Sequence, residues 1–443
     1  MRLAVAGGGE TESSAAGAVI QARLGRPPQD ALEAAVVLEA WGGLPAAAAL
    51  RAGPRVLSSK MLPSRPQRWR SDDQEGRRAV LAEGIGLLVA ILSIAALAGP
   101  LSDELGNATF ERALRVALPL TLALQWALRS RYLGRRSGIA CLGGDWVAVC
   151  AIALAIAGGL VAIPGWGAVA AMLAAVWVGG TVLARRGWGL AYAGLLVLAT
   201  VGMLVGLPAV ETLAALTGVT LLGVVIAVRT ARVTGLAMPG TVGRALAAGA
   251  IGALLGILLI GDPSLGWGIH GAFPALALVP SVVGSFWGGY HLWQFHDEVP
   301  RRMRGVELSR ASATMARGPA TDIVLAALAR LVGITLALSL VVAFIGEWTE
   351  GTDSASLFVG FGCAALVCLF VSLLESLGCV RWAMTCAIVS VAVELVVAHV
   401  LQPPVAGAGL IAGGTVGTVL AIAPLVGLLR SPGRVLATTL WIR

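Results

Sequence analysis

From residue 79 onward the chain alternates between long apolar runs and short polar gaps. The runs span roughly 79–99, 113–128, 141–163, 165–184, 189–207, 209–228, 242–261, 271–292, 322–345, 355–376, 380–401 and 406–429. Most reach the ~20 residues that a helix needs to cross a bilayer. The second run is short and predicts a helix that is tilted or extended by its flanks. Periodicity alone does not separate a buried helix from a membrane one, but twelve long runs in succession do. The predicted fold is all-α: a polytopic membrane protein of about 12 transmembrane helices.

The gaps alternate in charge. One set carries Arg65, Arg68, Arg70, Arg77 and Arg78; Arg129, Arg131, Arg135 and Arg136; Arg185 and Arg186; Arg229, Arg232 and Arg244; Arg301, Arg302, Arg304, Arg310 and Arg317; Arg381; and Arg430, Arg434 and Arg443. The other set is acidic or neutral: LSDELGNATFE, IPGW, the turn at Pro208, GDPSLGWGIH, GEWTEGTDS and QPPVAG. Arg112 and Arg115, at the second span, break the pattern. The positive-inside rule puts the arginine gaps and both termini in the cytoplasm, with the chain threaded many times through the cell membrane. A missed or invented span would invert every later sign, so the alternation supports an even count. Trp126, Trp146, Trp166, Trp188, Trp267, Trp293, Trp348, Trp382 and Trp441 lie near span ends. Amphipathic rings prefer that interface.

Composition agrees. Of 443 residues 57% are hydrophobic and 13% charged, with a mean hydropathy of +0.86. Soluble domains carry about 25% charged residues. The net charge of +8 does not indicate nucleic acid, because the arginines flank apolar spans instead of forming one basic surface. The six cysteines, Cys141, Cys150, Cys363, Cys368, Cys379 and Cys386, lie in or beside apolar spans with no CxxC, and read as small buried hydrophobes. Four histidines without HExxH or pairing predict no metal site, and nothing calls for a cofactor.

Residues 1–78 differ from the rest. They hold a Gly/Ser/Ala tract, a predicted helix over QDALEAAVVLEA containing Glu33 and Glu39, and a Pro-rich basic stretch. No signal peptide is readable. The segment is expected to be a cytoplasmic, partly disordered N-terminal region, either a small regulatory helix pair or in part an over-extended reading frame starting truly at Met61. Residues 79–443 are expected to form a single transmembrane domain.

The predicted outer loops are short, which argues against a membrane glycosyltransferase with an extracytoplasmic substrate site. The first does carry Asp103 and Glu104, an acidic pair of the kind such enzymes use near a metal and a lipid-linked sugar. The long inner loop, 293–321, predicts a solvated connector or an interfacial helix with Met303, Val306, Leu308 and Met315 toward lipid. Glycines recur every four residues at Gly409, Gly413 and Gly417 and at Gly252 and Gly256. That spacing lets helix backbones approach closely, as static packing or as seams on which helices rock.

An ionisable group at bilayer depth is costly and becomes a functional candidate. Arg330 falls roughly 12 Å into the ninth span and Glu394 roughly 21 Å into the eleventh at ~1.5 Å per residue. Both are candidates for a transport pathway, expected to face a cavity or each other, with a structural salt bridge as the competing account. Glu83, Asp145 and Glu375 lie within about two turns of the inner edge and Arg115 near the outer one, so these can reach water by snorkelling.

Two families share features with the chain. The loop RSRYLGRRSG is similar to the DRxGRR motif of major facilitator transporters, with Ser130 where that motif has Asp. A second resemblance runs over residues 80–400. The first span ends in ALAGP (Ala96 to Pro100) and the second reads LPLTLALQWALRSRYLGRR. The eighth leads through VPSVVGSFWGGYHLWQFHDEV into a cytoplasmic segment, and the tenth and eleventh match in spacing. Together these resemble the multidrug/oligosaccharidyl-lipid/polysaccharide flippases, especially the membrane subunit of the Pel exopolysaccharide export system. The resemblance implies two six-helix lobes, about 79–232 and 242–429, alternating access around a central cavity, and a polysaccharide or lipid-linked saccharide as substrate. It also implies a cytoplasmic glycosyltransferase docking on the loops that bear Arg129–Arg136 and Arg301–Arg317. A major-facilitator-type or multidrug transporter, and a lipid-sugar glycosyltransferase, are the alternative readings.

Overall fold

Apolar residues of high helical propensity dominate each run, and a helix satisfies its own backbone hydrogen bonds where no water can. The computed structural model describes residues 16–21, 28, 31–40, 44–58, 89, 93, 97–133, 138–231, 240–261, 280, 313–350, 352–376, 378–401 and 405–429. Among them every regular element is a helix. Near the N-terminus α1 (Ala31–Ala40) and α2 (Ala46–Ser58) pack on each other. The helices that follow are α3 (Asn107–Leu128), the short α4 (Gly138–Gly144), α5 (Trp146–Val161), α6 (Gly167–Arg185), α7 (Gly189–Leu204), α8 (Ala209–Arg229) and α9 (Val242–Ile260). They continue as α10 (Ala313–Glu350), α11 (Thr352–Ser376), α12 (Val380–Leu395) and α13 (Ala408–Leu429). Single π-helical segments extend α3 over Arg129–Leu133 and α12 over Val396–Leu401.

Six of these segments are long and apolar enough to cross a membrane: Gly167–Arg185, Ala209–Arg229, Val242–Ile260, Ala355–Glu375, Val380–Leu401 and Ala408–Gly427. Trp146–Val161, Gly189–Leu204 and Val332–Ile345 are shorter apolar helices. The chain is thus a polytopic helical membrane protein. The first and eighth expected spans lie almost wholly outside the described residues, as does most of the long inner loop.

The second span is extended by its flank, one of the two expected outcomes: α3 reaches back to Asn107 and runs for 22 residues. Two other expectations change. The gap LSDELGNATFE is not a loop: residues 97–105 are helical, and Gly106 alone, at φ 81°, turns the chain into α3. Glycine takes that left-handed conformation without steric cost. The third span is not one helix. Gly143, Gly144 and Asp145 break it into α4 and α5. Two glycines cost about 1 kcal/mol each in a helix interior, so the break falls there.

Side-chain contacts identify the two ends of the bundle. Arg186 Nη2 donates to Thr230 O at 2.9 Å, joining the C-termini of α6 and α8. Arg131 Nη1 donates to Gly240 O at 2.9 Å, joining the end of α3 to the start of α9. At the other end, Ser356 Oγ donates to Ala406 O at 2.8 Å. Arg129, Arg131, Arg185, Arg186, Arg229 and Arg244 therefore gather at one end of the fold, called here the arginine-rich end.

The core forms where small residues remove the space between helices. A methyl group on Gly256 would lie 2.9 Å from Pro119 N, and one on Gly252 would lie 2.7 Å from Leu122 C and 3.0 Å from Trp126 Cγ. These glycines seat α9 against α3. In α13, a methyl on Gly413 would meet Ser390 O at 2.5 Å and Glu394 Cβ at 3.0 Å, and one on Gly417 would collide with the Ser390 hydroxyl. Gly409 is buried on the same helix. Further close approaches have no four-residue repeat: Gly362 against Ser339, Gly414 against Cys363 and Gly180 against the Tyr192 ring.

Candidate functional site

Glu394 is fully buried, next to last in α12 and just before its π-helical segment. Single π turns inside α-helices are frequent at functional sites. The carboxylate abuts Gly261, the C-cap of α9: a methyl group there would lie 3.1 Å from both carboxylate oxygens. His399, within the π segment, places Nε2 3.3 Å from the Gly261 carbonyl oxygen. Gly413 of α13 closes the third side. A carboxyl group, an imidazole and a glycine C-cap thus meet where α9, α12 and α13 converge. No membrane helix surrounds its ionisable groups this way without cost.

Arg330 lies elsewhere. It is exposed on α10, which packs against α11, and the structure does not bring it to Glu394. Arg115 is also exposed and pairs with Glu111 on its own helix at 2.6 Å. Glu83 lies outside the described residues.

The other two candidates belong to the arginine-rich end. Glu375 is buried near the end of α11, with Oε2 4.0 Å from Arg129 Nη2 and Oε1 3.9 Å from Arg244 Nη2. It does not reach water as the sequence reading allowed. Asp145 accepts hydrogen bonds from the Tyr132 hydroxyl at 2.7 Å and from Arg131 Nη2 at 3.0 Å. Those donors, Tyr132 first, hold its carboxyl below the ordinary carboxylate range, so it is ionised at neutral pH. Arg131 also donates from Nε to Tyr132 at 2.8 Å, and its ring contact with Tyr132 spans 5.2 Å. Arg129 lies 5.8 Å over the Trp126 ring. Two of the arginines expected to dock a cytoplasmic partner are therefore engaged within the chain; Arg135, Arg136 and Arg301–Arg310 lie outside the described residues.

Sequence reasoning singled out Asp145 and Glu375 as site candidates; it had Arg244 only as a gap arginine and Tyr132 only within a loop motif, and it did not reach Gly240, Gly261 or His399. Tyr132 had one signal, a lone tyrosine beside arginine in an inner gap. The others are far from their partners along the chain.

Glu104, one of the acidic pair with Asp103, is engaged at a helix start. The Glu104 carboxylate accepts from the first backbone N–H groups of α8, those of Ala209 and of Val210, the latter at 3.3 Å. It satisfies donors that a helix start leaves open. Replacing Glu104 with alanine is expected to lower stability by about 1 kcal/mol, the usual worth of an N-terminal cap. Thermal unfolding in detergent measures this, and a metal chelator should leave the unfolding temperature of the wild type unchanged. Among the described residues no group of three or more His, Cys, Asp or Glu is placed to hold a metal ion.

No protein-family model matches the chain, and no curated protein matches it. A solved structure titled "Crystal structure of MATE in complex with MaL6" is similar at a TM-score of 0.41 and 14% identity, covering 80% of this chain and 96% of that one.

Proposed function

We propose that this protein is a cell-membrane exporter or flippase that moves a polysaccharide or lipid-linked saccharide by alternating access, with both termini in the cytoplasm. The observation that carries the reading is Glu394: a fully buried carboxylate beside a π-helical turn, in a chain with only 13% charged residues. Such a group takes and releases a proton as its surroundings open and close, which is how buried carboxylates couple a gradient to movement. The Pel-like motifs at Ala96–Pro100, in the second span and in the eighth favour a saccharide over a drug. Engagement of Glu104 as a helix cap favours transport over sugar-transfer chemistry.

The test is deletion of the gene from its host with plasmid complementation, reading secreted exopolysaccharide and drug susceptibility in parallel. Loss of secreted polysaccharide, restored by the wild type, is the expected result. Unchanged polysaccharide with increased drug susceptibility would replace the saccharide reading with a multidrug one.

A further inference from the structure

We infer that the arginine-rich end carries an ionic latch that joins the two halves of the chain, with Glu375 as the carboxylate both sides share. The inference rests on the transporter reading above, in which the halves must part at one end. Glu375 on α11 offers Oε2 to Arg129, which follows α3, and Oε1 to Arg244 in the first turn of α9. Beside it, Arg131 and Gly240 clasp each other twice: Gly240 N–H donates to Arg131 O at 2.9 Å and the Arg131 guanidinium donates to Gly240 O at 2.9 Å. Asp145 and Tyr132 hold that guanidinium in place.

The placement of these links is one-sided. Arg129–Glu375 crosses from one half to the other at the arginine-rich end, and Arg131–Gly240 ties the first half to the connector just before α9. Among the described residues, three polar contacts away from that end, Glu104 with Ala209, Ser356 with Ala406 and His399 with Gly261, each join residues of one half. The glycine-lined contact of α9 with α3 continues inward from the clasp through Gly249 and Gly252 to Gly256. This conformation is therefore fastened at the arginine-rich end.

The fastening is built to release. At 3.9–4.0 Å neither Glu375 contact is a hydrogen bond, so the attraction is purely electrostatic. The Arg129 and Arg244 side chains are 38% and 34% exposed, so water replaces the carboxylate readily once the helices separate. Arg244 lies in the same half as Glu375 and keeps the carboxylate oriented when Arg129 leaves.

The experiment places spin labels on Arg229→Cys and Trp382→Cys, both exposed positions at the arginine-rich end of opposite halves, with the six native cysteines replaced by alanine. Pulsed electron paramagnetic resonance then reads the distance between them in purified full-length protein. Glu375→Gln is expected to raise the population of longer distances about tenfold, within the range of coupling between conformational states. Arg129→Gln should do the same, and Glu375→Asp should restore the short distance. Distances unchanged in folded Glu375→Gln and Arg129→Gln would overturn the latch while leaving the transporter reading intact. If Glu375→Gln fails to fold, unchanged distances in Arg129→Gln alone are enough to reject it. Loss of polysaccharide export without any distance change would also count against the latch, since Glu375 would then act on the substrate instead.

Discussion

Glu394→Gln should stop transport and leave the protein in the membrane. The amide keeps the shape of the carboxyl group, so the packing against Gly261 and Gly413 survives. What disappears is the ability to gain and lose a proton. The amide also brings no charge into that buried site, so the variant should stay folded in detergent. Secreted polysaccharide in a complemented deletion strain should fall to the level of the empty vector, while size-exclusion chromatography shows an unchanged monodisperse peak. Wild-type export by this variant would remove Glu394 from the mechanism. Arg330→Gln provides the contrast. Its guanidinium is exposed on α10, so its loss should matter less to export than that of Glu394.

Gly256→Leu should prevent recovery of folded protein. The first atom of any side chain at Gly256 meets Pro119 backbone atoms, 2.9 Å from its nitrogen, and backbone inside a helix cannot swing aside. Overpacking usually costs about 1–3 kcal/mol, and a clash with backbone atoms of the facing helix should exceed that range. Gly243→Leu, two turns or more away on the same helix and with nothing within 4 Å of an added Cβ, should be tolerated. Yield after extraction and the apparent unfolding temperature of both variants measure the difference.

The spans were legible because burial in lipid imposes length and composition on every helix. Ten of the twelve predicted runs coincide with described helices, among them 209–228 with α8 and 242–261 with α9. The interruption at Asp145 was also written in the sequence, as Gly-Gly-Asp, but an apolar count averages over a single turn. The disguised helix at LSDELGNATFE was harder: Asp103 and Glu104 suit a helix end as well as a loop, and only Gly106 departs from helical geometry. The glycine repeat in α9 announced a close helix contact but not its partner α3, whereas Gly362 and Gly414 carry no such period and pack just as closely. Glu394 was identified from depth alone. Its neighbours were not, because Gly261 lies 133 positions upstream and hydropathy is silent about which helix meets which. The same holds for Glu375, whose two arginines stand on α9 and beyond α3.

Helix α5 has no buried residue along Trp146–Val161, and Ile152, Leu154 and Val161 are all more than half exposed. Its surroundings are acyl chains, which do not distinguish leucine from valine or isoleucine. Little in the fold selects among these side chains; what selects is the turn at Asp145 that anchors the helix to its neighbours. Across relatives of this protein, α5 should therefore drift in sequence while keeping its hydropathy, and the aspartate at its foot should not.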